Sequence, residues 1–281
     1  MIPARFDYIA PESLEEVVRE LHENGEDAKL LAGGHSLLPL MKLRLAAPTL
    51  LVDLRRVPGL HGMRQDNGGF RIGPMTTHAT VADTPELGVL SRAAGLIADQ
   101  QVRNRGTIGG SLAHGDPASD LPGVLLATEG EVRAQGPNGE RTIPAGEMFQ
   151  DYLTTALAPD EVITEVQVPA SDGWGFGYEK FNRRAEDWAM VGVCTLVKKA
   201  PDGSCEDVRV GLTHMGSTPL RATATEEALR GGALDSDAIA AAAEQAAEGT
   251  EPPADLNATA DYKRHLARVL TRRALTAAVE A

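Results

Sequence analysis

Two short glycine-rich stretches constrain this chain more than any other feature. Ala32-Gly33-Gly34-His35-Ser36 is the first, and Thr107-Ile108-Gly109-Gly110-Ser111 is the second. The second sits inside Arg103–Pro122, a segment that runs on through a polar loop to Asp120. Glycine carries no Cβ, so another molecule can approach its backbone closely. The N–H groups of Gly33, Gly34 and His35, with the Ser36 hydroxyl, can cradle one phosphate as a nest, and those of Gly109, Gly110 and Ser111 a second. A diphosphate has two separated anionic groups, so paired clasps suit it. Either stretch alone is equally compatible with a tight turn. Neither reads G-x-G-x-x-G, so the doubly wound dinucleotide-binding fold is not supported.

Around these stretches the pattern is mixed. Ser13 and Glu16 form a capping box ahead of Leu14, Val17, Val18 and Leu21 at helical spacing, with Gly25 as the stop. Ala28–Ala32 reads as a strand ending in the first glycine pair. His35–Arg44 reads as a short helix with Pro39 awkward in its middle, and Thr49–Leu54 as a strand, which together make a small β-α-β unit. A turn at Asn67-Gly68-Gly69 precedes a strand over Phe70–Gly73. A short helix is expected near Thr80–Asp83 and a longer one over Glu86–Asp99. Arg103–Gly115 reads as loop around a strand-like Thr107-Ile108, and a helix runs from Ser119 to Thr128. A hairpin is expected about Pro137-Asn138-Gly139, and a strand over Glu161–Val168. The stretch 169–177, PASDGWGFG, reads as a linker. Beyond it come strands at Val191–Lys199 and Val208–Leu212. Helices follow at Thr225–Arg230 and Asp235–Glu248. A last helix, Tyr262–Ala278, should pack Tyr262, Leu266, Val269, Leu270, Ala274 and Ala277.

A formal net charge of -13 argues against nucleic acid or an anionic membrane surface as partner, since both need a basic face. It does not argue against a small anion held by backbone dipoles. No run is long and apolar enough to span a bilayer, and the N-terminus lacks a signal-length apolar core, so a cytoplasmic location is expected. The 2 cysteines, Cys194 and Cys205, are expected to be reduced thiols.

The 7 histidines show no metal-ligand spacing, no G-x-S-x-G elbow is present, and no cysteine cluster suits an iron–sulfur centre. Asp116 and Asp120 make a poor acid–base pair with Pro117 between them. Asp120 can accept hydrogen bonds from a ribose diol or an adenine amino group, or it can cap its own helix. Lys180 lies in the basic cluster Lys180–Arg184. A cation beside the pyrimidine end of a flavin would stabilise negative charge developing on reduction; the alternative is a solvated strand-end cluster. Trp174, Phe176, Tyr178 and Trp188 surround it and can cover a planar ring or pack a core.

AGGHSLLPLMKLR at 32–44 and TIGGSLAHGDPASDLP at 107–122 resemble the two flavin-binding signatures of the medium subunit of molybdenum hydroxylases, the family of aerobic carbon monoxide dehydrogenase and xanthine dehydrogenase. RIGPMTTHAT at 71–80, YEKFNRRAEDWAMVGV at 178–193 and YKRHLARVLTRRAL at 262–275 extend the resemblance along the whole chain. It implies an α+β fold. Residues 1–175 would form a PCMH/VAO-type FAD-binding domain, of two subdomains about 1–58 and 59–175. Residues 176–281 would form a carbon monoxide dehydrogenase flavoprotein C-terminal domain.

In that family Ala32–Ser36 and Thr107–Ser111 would grip the FAD diphosphate from opposite sides. Asp120 would contact the adenosine half, Lys180 would lie near the isoalloxazine, and a backbone position at Val162 or Ile163 would touch FAD. The FAD is expected to be non-covalent. The molybdenum cofactor and two [2Fe–2S] clusters are expected only in a large and a small partner subunit, in a (large-medium-small)2 heterohexamer. The implied role is electron relay from the clusters through FAD to an external acceptor, with no catalytic side chain in this chain. Two other readings stand beside it: an autonomous FAD-dependent oxidase of the same fold, and a cofactor-free assembly module.

Overall fold

The computed structural model describes residues 2–66 and 68–281. Its first layer is a 3-stranded parallel sheet of order β1-β3-β2, formed by β1 (Asp7–Ile9), β2 (Ala28–Leu31) and β3 (Leu50–Asp53). Helix α1 (Leu14–Asn24) buries Val17, Val18 and Leu21 against it. Ser13 Oγ accepts the Glu16 N–H at 3.1 Å, while the Glu16 carboxylate takes the N–H of Glu12 at 3.2 Å, one residue earlier than a capping box predicts. Helix α2 (Leu37–Leu43) contains Pro39 without penalty, because Pro39 lies in the first turn, where an N–H has no intrahelical partner to lose. The expected β-α-β unit is therefore present.

The second layer is a 5-stranded antiparallel sheet of order β4-β5-β10-β6-β7. Its strands are β4 (Met63–Asp66), β5 (Gly69–Ile72), β6 (Glu131–Gly136), β7 (Gly139–Pro144) and β10 (Val162–Pro169). The turn expected at Asn67-Gly68-Gly69 rests on Asn67, which lies outside the described residues. The second layer also holds helices α3 (His78–Ala82), α4 (Val89–Gly95), α5 (Gln100–Arg103), α6 (Ile108–His114), α7 (Asp120–Ala127) and α8 (Ala145–Met148), and β8 (Phe149–Asp151) pairs with β9 (Thr154–Thr155). The single helix expected over Glu86–Asp99 is interrupted: Gly88 takes φ 56, which ends one turn and starts α4. The loop expected over Arg103–Gly115 is largely helical. Thr107 caps α6 by accepting the Gly110 N–H at 3.2 Å, and buried Ile108 and Leu112 outweigh the low helix propensity of two adjacent glycines.

The third layer is a 4-stranded antiparallel sheet, β11-β12-β13-β14, of β11 (Trp174–Phe181), β12 (Val191–Lys199), β13 (Cys205–Thr213) and β14 (Leu220–Arg221). Helices α9 (Thr223–Leu229), α10 (Ser236–Ala243) and α11 (Ala260–Glu280) complete it. The stretch expected as linker is half strand, and its glycines have a packing cause. A Cβ on Gly175 or Gly177 would collide with the carbonyl oxygen of Ala278 or Ala274, because α11 lies directly on β11. The buried face of α11 carries Leu266, Leu270, Ala274 and Ala278, and also Lys263, while Tyr262 and Ala277 are exposed. Helix α7 is buried all round, as a helix between two layers must be. It packs on β13 so closely that a Cβ on Gly123 would lie 2.6 Å from Thr213 Oγ1. Among the described residues no helix is long and apolar enough to cross a membrane.

Candidate functional site

One cavity of about 630 Å³ lies where the three layers meet. Its lining includes Ala32 to Ser36 from the β2–α2 turn, Thr107 and Gly109 to Ser111 from α6, Asp120 from α7, Ile163 from β10 and Lys180 from β11. These residues thus face the same space, whereas Ile108, Trp174, Phe176 and Tyr178 are not part of its lining. The two glycine stretches also touch each other. A Cβ on Gly33 would strike the Arg105 carbonyl oxygen and lie 2.8 Å from Gly106 Cα, and one on Gly110 would lie 3.5 Å from Ala32 Cβ.

The two stretches do different work. In the first, Gly34 takes φ 78, a left-handed geometry suited to a nest of convergent N–H groups. Among the described residues, none of the N–H groups of Gly33, Gly34, His35 and Ser36 bonds to protein, and the Ser36 hydroxyl does not cap α2. These donors are available to a ligand. In the second, the donors are already committed. Gly109 donates to Pro74 O at 2.8 Å, Gly110 to Thr107 Oγ1 at 3.2 Å and Ser111 to Thr107 O at 3.0 Å. The second stretch is therefore not a free nest of the expected kind. It provides a close-packed wall, with Ser111 Oγ 2.9 Å from Ser119 Oγ.

Asp120 does not cap its helix. Ser119 occupies the cap position, and the Asp120 carboxylate instead accepts the Tyr178 hydroxyl at 2.6 Å and the Lys180 ammonium at 2.8 Å. Lys180 also donates to Leu96 O at 3.2 Å, and its side chain is 4% exposed, so it is no solvated cluster. Burial pushes the Asp120 carboxyl upward, against the pull of Lys180 and Tyr178, and burial with the neighbouring carboxylate pushes the Tyr178 phenol well above its ordinary range. The resemblance divides Asp120 and Lys180 between the adenosine and isoalloxazine halves. Their direct contact puts both at one place in the wall.

Sequence reasoning missed His78. It follows the cap Thr77 of α3, is buried, and lines the cavity with a ring Nδ1 that has no partner among the described residues. Burial, and then nearby His35, lower its pKa to about 4, so it is neutral at physiological pH. The signals were a histidine beside a Thr cap and its place in RIGPMTTHAT at 71–80. Trp188, 52% exposed, stands in the lining with Glu186 and Asp187. Trp174 instead carries the Arg209 guanidinium 4.6 Å from its ring centroid. Cys194 and Cys205 are buried and unpaired, and no metal-ligating cluster occurs among the described residues.

Three α+β layers around a cavity with a donor-rich turn and a buried ion pair define a protein built to carry a cofactor. The family profile described as "FAD binding domain in molybdopterin dehydrogenase" matches residues 4–171, and "CO dehydrogenase flavoprotein C-terminal domain" matches residues 176–278. The carbon monoxide dehydrogenase medium chain of Hydrogenophaga pseudoflava is 45% identical over 99% of this chain and 98% of its own length. The 6-hydroxypseudooxynicotine dehydrogenase complex subunit alpha of Paenarthrobacter nicotinovorans is 40% identical over 99% and 96%. A solved carbon monoxide dehydrogenase from Hydrogenophaga pseudoflava, lacking the Mo-pyranopterin moiety of its cofactor, superposes with a TM-score of 0.96 at 47% identity over 99% and 98%. The chain belongs to the family of FAD-binding medium subunits of the molybdenum hydroxylases.

Proposed function

We propose that this chain is the electron-relay subunit of a molybdenum hydroxylase, holding FAD between a small [2Fe–2S] subunit and an external acceptor. A large molybdenum-cofactor subunit would oxidise the substrate, and the assembly would be a (large-medium-small)2 heterohexamer. The observation that carries the reading is the convergence of both glycine stretches and the Asp120–Lys180 pair on one cavity.

The residues present fit FAD. The Gly33–Ser36 turn offers unbonded donors to an anion without a lysine, and Gly33 admits no Cβ. The cavity volume of about 630 Å³ lies within the usual range for ligand sites. Ile97, Leu157, Val162 and Ile163 give it apolar wall for a planar ring. Bound FAD would supply exchange of electrons one or two at a time. The chain's own part is to orient and shield. The Gly33–Ser36 donors fix the diphosphate. Thr107, Gly109, Gly110 and Ser111 form the wall beside that turn. Lys180 places a fixed positive charge in a dry site, where it counts for more than in water. Asp120, itself bonded by the Tyr178 hydroxyl, and Leu96 O hold that ammonium in place. Asp120 and Lys180 are bonded to one another rather than offered to an organic substrate.

The test is co-expression with the large and small subunits. The relay reading expects co-purification of all of them, with flavin reduced by the large subunit's substrate only when the iron–sulfur subunit is present. Flavin reduction by a small molecule in the isolated chain would point to an autonomous oxidase. An assembly that carries no flavin would point to a cofactor-free module.

A further inference from the structure

One residue outside the cavity touches both of the segments that carry part of its wall. His214 follows β13 in left-handed backbone, φ 64, a region that few non-glycine residues occupy. Its N–H donates to Pro117 O at 2.8 Å, in the α6–α7 connection that ends in Ser119 and Asp120. Its ring Nδ1 lies 2.7 Å from Ala189 O, next to the segment that supplies Glu186, Asp187 and Trp188. On the other side, Nε2 faces Lys263 Nζ at 3.3 Å. The Lys263 side chain is 0% exposed and donates to Asp255 at 2.7 Å. Burial alone would raise the Asp255 carboxyl; the bond from Lys263 and the N–H groups of Asn257 and Ala258 overcome it and hold it at about 2.

These contacts fix the state of the ring. A carbonyl oxygen only accepts, so Nδ1 carries the hydrogen. An ammonium only donates, so Nε2 is bare. A second proton would set an N–H against the Lys263 ammonium. The charged groups around the ring are Lys263 on α11, Asp255 in the loop before it and Asp116 in the α6–α7 connection. Burial, and then Lys263, disfavour the proton; the bond to Ala189 O, Asp255 and Asp116 favour it, and the balance lies below the ordinary histidine value.

We infer that His214, held as a neutral imidazole between Ala189 O and Lys263, is a positioning residue whose ring holds the 186–188 segment as a wall of the cofactor cavity, while its backbone N–H ties the same point to Pro117 O, and that protonating the ring loosens the 186–188 segment. The inference rests on the reading that FAD occupies that cavity.

The experiment is FAD titration of the full chain from pH 5 to 8, in wild type, His214→Gly and Lys263→Met. Glycine suits the left-handed backbone, so His214→Gly should stay folded. It should bind FAD at least tenfold more weakly at pH 7.5 and regain affinity with added imidazole. Wild-type affinity should be full above the ordinary histidine pKa and fall as pH drops through the lower value of the folded chain. In His214→Gly that fall should vanish. In Lys263→Met, with no ammonium beside Nε2, it should occur at higher pH. Wild-type affinity and pH profile in His214→Gly, or an unmoved midpoint in Lys263→Met, would overturn the inference. If His214→Gly does not fold, the Lys263→Met midpoint decides. If wild type itself takes up no FAD, it is the flavin reading that fails. Backbone hydrogen exchange then decides the positioning role: faster exchange over 182–190 in His214→Gly supports it, and unchanged exchange over 182–190 refutes it.

Discussion

Asp120 and Lys180 are unequal partners. Removing the carboxylate leaves a buried ammonium with only Leu96 O, and stranding one member of a buried pair costs about 3–5 kcal/mol. Removing the ammonium is milder, because burial already pushes Asp120 upward and a protonated carboxyl is neutral. Asp120→Ala should therefore be less stable in urea than Lys180→Met; the reverse order would refute the pair's assignment. His78 gives a second prediction at this scale. Burial lowers its pKa to about 4 from the ordinary histidine value, so the unfolded chain binds the proton more readily. Stability is full above pH 6.5 and falls as pH drops toward 4, by about 3 kcal/mol. Urea unfolding at pH 7.5 and 4.5 should show a smaller loss in His78→Leu than in wild type. Equal losses would mean that His78 does not titrate in this way.

Two elements meet at contacts that tolerate no extra atom. Gly177→Ala must push α11 off β11, since its Cβ meets the Ala274 carbonyl oxygen. Overpacking of this kind costs typically 1–3 kcal/mol, so Tm should fall by several degrees. An unchanged Tm would show that α11 is not held at this spacing. Gly33→Ala must part the β2–α2 turn from Arg105 and Gly106, and FAD affinity should fall at least tenfold by fluorescence titration. Affinity equal to wild type would remove that turn from the site. The same contacts explain what the sequence could show. The β-α-β unit, the hairpin and the strand at Val162–Pro169 follow from local pattern, and the glycine stretches marked one cavity. The strand role of Gly175 and Gly177 did not show, because its cause is a helix about a hundred residues away. Nor did the helix at Ile108–His114, whose glycines are held by Pro74 and by a buried face rather than by propensity. Lys180 sits in a sequence that reads as surface, and only the partner on α7 makes it interior.

At the scale of the whole molecule, the cavity takes wall from all three layers, so no layer alone can hold a ligand there. Helix α7 ties the second layer to the third and delivers Asp120 to Lys180. Cofactor binding should therefore report on the docking of the third layer as much as on the glycine turns. The most direct measurement is the flavin content of the chain purified in complex with the large and small subunits proposed as its partners. Protein is denatured, and released flavin is counted against copies of this chain. The account predicts one FAD per copy, freed without a covalent remnant, and a Gly33→Ala complex of the same composition with little or none. A wild-type complex that assembles and carries no flavin would contradict it.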